Sequence, residues 1–138
     1  MKKIFFILFC IIFIFSSCLL EDDKLENDHI TVTVINNTNK YLKYSLIDIN
    51  TNCYINNIFD SPIDNEVISP AGNTTVIDGE EEPLYIDELW IKPGSYSAKI
   101  IVYIDNTYST QADKYLNEGI FYITDDYTIT IGSDGSIY

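Results

Sequence analysis

Apolar and polar side chains alternate repeatedly from residue 30 to the end of the chain, the mark of a succession of short β-strands. Residues 30–34 set Ile30, Val32 and Val34 on one face and Thr31 and Thr33 on the other, the period of two that a half-buried strand requires. Asn36-Asn37-Thr38-Asn39 reads as a turn. Residues 41–49 then align Leu42, Tyr44 and Leu46, resume an antiparallel ribbon and end in Asn50-Thr51-Asn52, with a short strand around residues 53–55. Residues 56–66 hold Pro62 without clean alternation and read as a loop or broken edge. Residues 66–68 and 74–77 flank a Pro70 and Gly72 turn, and Gly79-Glu80-Glu81-Glu82-Pro83 reads as a break.

Residues 85–91 continue the pattern and Lys92-Pro93-Gly94 turns it. Residues 95–104 are the clearest strand, with Tyr96, Ala98, Ile100, Val102 and Ile104 on one face, and they belong at the centre of a sheet. Thr110 as N-cap and Gly119 as stop predict one short helix over residues 110–117. Residues 120–124 and 127–131, parted by Asp125-Asp126, and a Gly132-Ser133-Asp134-Gly135 turn into residues 136–138 carry hairpin signals. Seven to nine strands in residues 30–138 predict an all-β domain, an antiparallel two-sheet β-sandwich. Immunoglobulin-like topology is the first expectation, with a transthyretin-like sandwich and a small closed barrel as alternatives; the Cys-Trp-Cys pattern of true immunoglobulin domains is missing.

The first residues follow another rule. Lys2 and Lys3 precede an unbroken apolar run over residues 4–15, too short for a membrane span of roughly 20 residues but suited to the core of a secretory signal. Phe15-Ser16-Ser17-Cys18 resembles the lipobox of bacterial lipoproteins, with Phe15 where family members usually carry Leu. The resemblance implies removal of residues 1–17, lipidation of Cys18 and an exported, lipid-anchored protein of the cell envelope, at the outer membrane or cell surface. The alternative is an ordinary signal peptide cut near Ser17, with Cys18 left as a free thiol. Leu19 after Cys18 is not the Asp associated with inner-membrane retention in some lipoproteins. Cys10 serves as apolar filler in the leader. Residues 18–29 then form the lipidated cysteine and an acidic tether, whose ten residues 19–28 would reach about 30 Å when extended, and residues 30–138 form one domain.

The chain carries a formal charge of −13; without Lys2 and Lys3 it keeps six lysines, no arginine and 21 acids, a formal charge of −15. Binding to nucleic acid depends on Lys and Arg displacing counterions, so nucleic acid is excluded as a partner class. The same imbalance assigns membrane attachment to the lipid rather than to a basic patch. With Cys18 lipidated, Cys53 has no partner in its own chain and is expected as a buried small hydrophobe.

No catalytic constellation stands out, and no cofactor is implied. His29 is the sole histidine, at the junction of tether and first strand, with no nucleophile in a recognisable motif beside it. One His and one Cys cannot supply a zinc site. Asp125, Asp126 and Asp134 are weak calcium candidates if their two turns converge, although they do not match the twelve-residue EF-hand pattern. Tyr85, Trp90, Tyr103 and Tyr108 lie near strands and turns where their rings would form a recognition patch for a protein or glycan. The expectation is a membrane-anchored exported lipoprotein displaying a non-catalytic binding domain. A structural or assembly component of the envelope, pairing through a sheet edge, is the alternative, and an envelope hydrolase the third.

Overall fold

In a computed structural model, which describes residues 29–59, 61–107 and 111–138, the alternation at residue 30 becomes strand β1 (Ile30–Asn36), burying every second side chain from Ile30 to Asn36. The described residues form ten strands and no helix. The others are β2 (Leu42–Asp48), β3 (Cys53–Tyr54), β4 (Glu66–Ile68), β5 (Thr74–Ile77), β6 (Glu80–Pro83), β7 (Ile86–Ile91), β8 (Tyr96–Ile104), β9 (Lys114–Ile123) and β10 (Tyr127–Ile131). A three-stranded sheet runs β10-β1-β7, and a five-stranded sheet runs β3-β2-β8-β9 with β4 also beside β2. Among the described residues β5 and β6 pair only with each other, and no sheet closes into a barrel. Val32, Val34, Leu89, Ile91, Ile129 and Ile131 of the first sheet join Leu42, Tyr44, Leu46, Ile100, Val102 and Ile123 of the second in one buried cluster. β8 lies between β2 and β9, as its alternation predicts.

Several expectations change. Strand pairing is not wholly antiparallel, because β1 pairs parallel with β10, Val32 beside Tyr127 and Asn36 beside Ile131. Three turns expected to continue ribbons instead carry the chain between sheets: β1 to β2, β7 to β8 and β9 to β10. Period-two alternation identifies a strand with one buried face, but a partner in either sheet satisfies it equally.

The helix expected over residues 110–117 is not formed where the chain is described; β9 begins at Lys114. The β8–β9 register shifts between Val102, which faces Asn117, and Tyr103, which faces Tyr115. Leu116 is therefore an extra residue that breaks the alternation. Gly119 is no helix stop either, since a Cβ there would lie 3.0 Å from the Phe121 ring and 3.1 Å from Ile137. The Gly79 to Pro83 break is half of a hairpin: Ile77 pairs with Glu80 across a two-residue loop. Asp78 and Gly79 both have positive φ, at 51° and 91°, as the tight turn of a two-stranded ribbon demands. Cys53 is exposed rather than buried, because β3 is a two-residue strand at the sheet edge whose side chains are both exposed.

β1 starts beside Ile91 and ends beside Ile131, which gives the domain an entry end and a far end. At the far end lie residues 37–41, 105–107 and 111–113, the β5–β6 hairpin and the closing 132–138 segment.

Candidate functional site

A buried amide builds the far end. Asn36 closes β1 on its inward phase, and an amide there must find partners. Its Nδ2 donates to the carbonyls of Ser69 at 2.7 Å and Lys40 at 2.8 Å. Its Oδ1 accepts from the Thr38 N–H at 2.9 Å and the Thr38 hydroxyl at 2.7 Å, and the Thr38 hydroxyl in turn accepts from the Lys40 N–H at 3.1 Å. These bonds fold residues 37–40 into one tight turn and set the position of Lys40 and Tyr41. The Tyr41 carbonyl accepts from the Asp105 N–H at 2.9 Å, which ties the turn to the end of β8.

A second network organises the opposite wall. The Lys43 ammonium lies 3.1 Å from Asp105 and 2.8 Å from Asp113, and donates to the Thr107 hydroxyl at 2.8 Å. The Asn106 N–H donates to Asp113 at 2.8 Å and its Nδ2 to the Ala112 carbonyl at 2.9 Å. Hydrogen bonding to Asp113, then to Asp105, holds Lys43 charged above its ordinary range. Asp113 is held below the usual carboxylate range chiefly by Lys43. Asp105 is lowered first by the Thr107 hydroxyl, with Lys43 adding to it.

Between these walls is a cleft of about 690 Å³ lined by Lys40, Tyr41, Ile104, Asp105, Asn106 and residues 111–114. Lys40 and Lys114 reach it with exposed side chains, and the Tyr41 ring is half-exposed. Lys40 and Lys114 balance Asp105 and Asp113 in the lining, and Lys43, bound to both aspartates from outside it, leaves the group one charge positive in a chain of −13. An aromatic face, two amide side chains at Asn106 and Gln111, and two lysines suit a polar ring with an anionic substituent.

The three described aromatic candidates, Tyr85, Trp90 and Tyr103, do not form one patch. Trp90 stands on the outer face of the three-stranded sheet at the entry end, 4.9 Å from the His29 ring. Tyr103 is on the outer face of the five-stranded sheet, edge-to-face with Tyr115 at 5.9 Å. Tyr85 is half-buried at the far end, where its carbonyl accepts from the Asn36 N–H. Tyr108 and Cys18 lie outside the described residues. Outward-facing strand positions alone do not say which sheet, or which side of the domain, a ring occupies.

The three aspartates are also apart. Asp125 and Asp126 precede β10 at the entry end, whereas Asp134 follows it at the far end. Five strand residues at about 3.3 Å each separate them by roughly 17 Å. Asp126 instead accepts from the Thr31 N–H at 2.8 Å, and Asp134 from the Ser136 N–H and hydroxyl at 3.0 and 2.6 Å. Among the described residues no group of three or more His, Cys, Asp or Glu is placed to hold a metal.

One carboxylate, Asp87, joins the two sheets. Tyr44, fully buried on β2, donates its hydroxyl to Asp87 of β7 at 2.7 Å, and burial together with Asp87 raises the phenol far above its ordinary range. Glu66 beside them is raised by burial first and by the charge of Asp87 second. This is a tie between sheets, its proton held on the phenol.

Sequence reasoning missed Tyr41, Lys40 and the outer face of β9. There Tyr122 stands beside Ser97, Ile120 beside Lys99 and Tyr115 beside Tyr103. The Asn-Asn-Thr-Asn run was the available signal for the cleft, since Asx and Thr side chains commonly brace turns. No protein-family model, curated protein or solved structure matches this chain.

Proposed function

We propose that this chain is an exported lipoprotein of the bacterial envelope that binds an acidic saccharide at its far-end cleft without chemical turnover. In this reading residues 1–17 are removed, Cys18 carries the lipid, and the acidic tether holds the domain off the bilayer. Two main sheets sharing one buried cluster support a sandwich of immunoglobulin-like or transthyretin-like arrangement. The carrying observation is the position and chemistry of the cleft: Tyr41, Lys40, Asn106 and Lys114 converge at the end of the domain opposite the entry of β1. A ligand there is reached from the side away from an anchor at residue 18.

The test is calorimetric binding of the full chain to an oligogalacturonate and to its neutral, reduced counterpart. Binding of the acidic form only, lost in Tyr41→Ala and weakened by added salt in proportion to the lysine contacts, is the expected result. Equal binding of Tyr41→Ala, or of the neutral sugar, refutes the site. Fatty-acid labelling with a Cys18→Ser control tests the anchor separately, and label retained in the control refutes it. The second reading, an assembly component of the envelope, is favoured by the open outer edge of β9.

A further inference from the structure

The β5–β6 hairpin carries a groove on one of its two faces. Ile77 stands opposite Glu80 and Thr75 opposite Glu82, and side chains directly opposite in an antiparallel pair point the same way. These four share one face, and with Asp78 and Leu84 they line a groove of about 570 Å³. Val76 stands opposite Glu81 on the other face and takes no part in it. Ile77 and Leu84 are the apolar side chains of the lining, 57% and 44% exposed. Leu84 is fixed there by its backbone, whose N–H donates to the Asn73 carbonyl at 3.0 Å and whose carbonyl accepts from the Ser69 N–H at 3.1 Å.

The hairpin gains nothing from this face by itself. A ribbon of two strands is marginal in water unless a further strand or a packed face completes it, and among the described residues β5 and β6 have no third neighbour. Glu80 and Glu82 lie roughly 7 Å apart on one side of β6, with Asp78 at the turn, so like charges face one another. The ion pairs of the described residues are those of Lys43 with Asp105 and Asp113, and they leave the three groove carboxylates without a cation.

Charge decides what such a groove accepts. Residues 44–91 hold ten acids and no Lys, Arg or His, so the negative field extends well beyond the groove itself. That field repels anionic lipid, nucleic acid and a second copy of a −13 chain. It attracts a basic polypeptide. In an extended segment every second side chain faces one way, at the same spacing of roughly 7 Å that separates Glu80 from Glu82.

We infer that the groove docks a basic segment of another protein in extended conformation, with Lys or Arg side chains at alternate positions meeting Glu80 and Glu82, and apolar side chains resting on Ile77 and Leu84. The charges steer the encounter and fix the register. The apolar contacts remove Ile77 and Leu84 from water and complete the ribbon. The groove and the far-end cleft have no lining residue in common, so loss of saccharide binding and loss of segment docking are separate results.

The test is fluorescence anisotropy of the dye-labelled, amidated peptide Leu-Ser-Lys-Ser-Lys-Ser-Leu, titrated with the full chain at low salt. Saturable binding is expected, weakened about five- to tenfold when Glu80→Gln and Glu82→Gln are combined. Ile77→Ser should weaken it at least about threefold. Glu81→Gln combined with Glu88→Gln removes the same charge outside the groove and should leave the affinity within about twofold. All five positions are exposed, and an unchanged melting curve by Trp90 fluorescence verifies that each variant is folded. Equal weakening by the Glu81 and Glu88 pair would make the effect one of net charge and overturn the inference. Undiminished binding of Leu-Ser-Ser-Lys-Lys-Ser-Leu overturns the alternate register, and absence of saturable binding overturns the site. Self-association of the full chain that Ile77→Ser abolishes would give the groove to a second copy and overturn the inference as well.

Discussion

Replacing Asn36 by Ala removes the side chain that fastens the 37–40 turn to the 68–69 backbone, and the cost can be worked from the bonds it makes. Asn36 is fully buried. The Lys40 carbonyl keeps a second donor in the Thr38 hydroxyl at 3.2 Å, and that hydroxyl keeps its other partners. The Thr38 N–H and the Ser69 carbonyl are left without the partners that Asn36 provides. Each buried orphan costs about 1–3 kcal/mol, so the loss is about 2–6 kcal/mol against a total of about 5–15 for a domain of this size. The melting temperature should fall by roughly 10–20 °C.

Urea unfolding followed by Trp90 fluorescence measures this, with an unchanged m-value indicating that the denatured state is unaltered. Asn36→Asp sharpens the test: it keeps the acceptor for Thr38 but sets a carboxylate against the Lys40 and Ser69 carbonyls. Its folded pKa would be raised, so stability is greatest in acid and is lost as pH rises through that value. A loss below about 1 kcal/mol for Asn36→Ala, or an Asn36→Asp variant indifferent to pH, would mean that water already serves these groups and that the far end is not braced as described.

Other outcomes follow from the same geometry. Tyr44→Phe leaves the part-buried Asp87 carboxylate without its donor and should cost about 1.5–3 kcal/mol in chemical denaturation; in a double-mutant cycle with Asp87→Ala the two losses should be clearly less than additive. Asp105 and Asp113 are depressed in the folded state, so their contribution is complete above the ordinary carboxylate pKa of about 4 and is lost as pH falls through their lower folded values. Lys43→Met should therefore flatten the acid limb of the stability profile. Glu66 is raised and acts in the opposite sense, favouring the fold while protonated, so Glu66→Gln should stabilise the protein at neutral pH. Gly79→Ala places a Cβ at φ 91° in the hairpin loop and should destabilise by about 1 kcal/mol, read as a lower urea midpoint.

Much of this architecture was legible in the order of side chains. Alternation at residues 30–34 and 95–104 marked β1 and β8 and their buried faces, because a strand beside one apolar core must repeat every second residue. Net acidity was readable without any fold. What the chain order left open was decided by tertiary contact. Whether the turn after β1 closes a hairpin or crosses to the second sheet depends on where the Asn36 amide finds its partners, and those are carbonyls more than thirty residues away at Ser69 as well as four away at Lys40. The Leu116 bulge erased the periodicity of β9, since one extra residue reverses the phase of all that follows. Aromatic side chains that were neighbours on paper separated onto two sheets. Tyr41, far in the chain from Asn106 and Lys114, met them at one cleft because β1 to β2 and β8 to β9 turn at the same end of the domain.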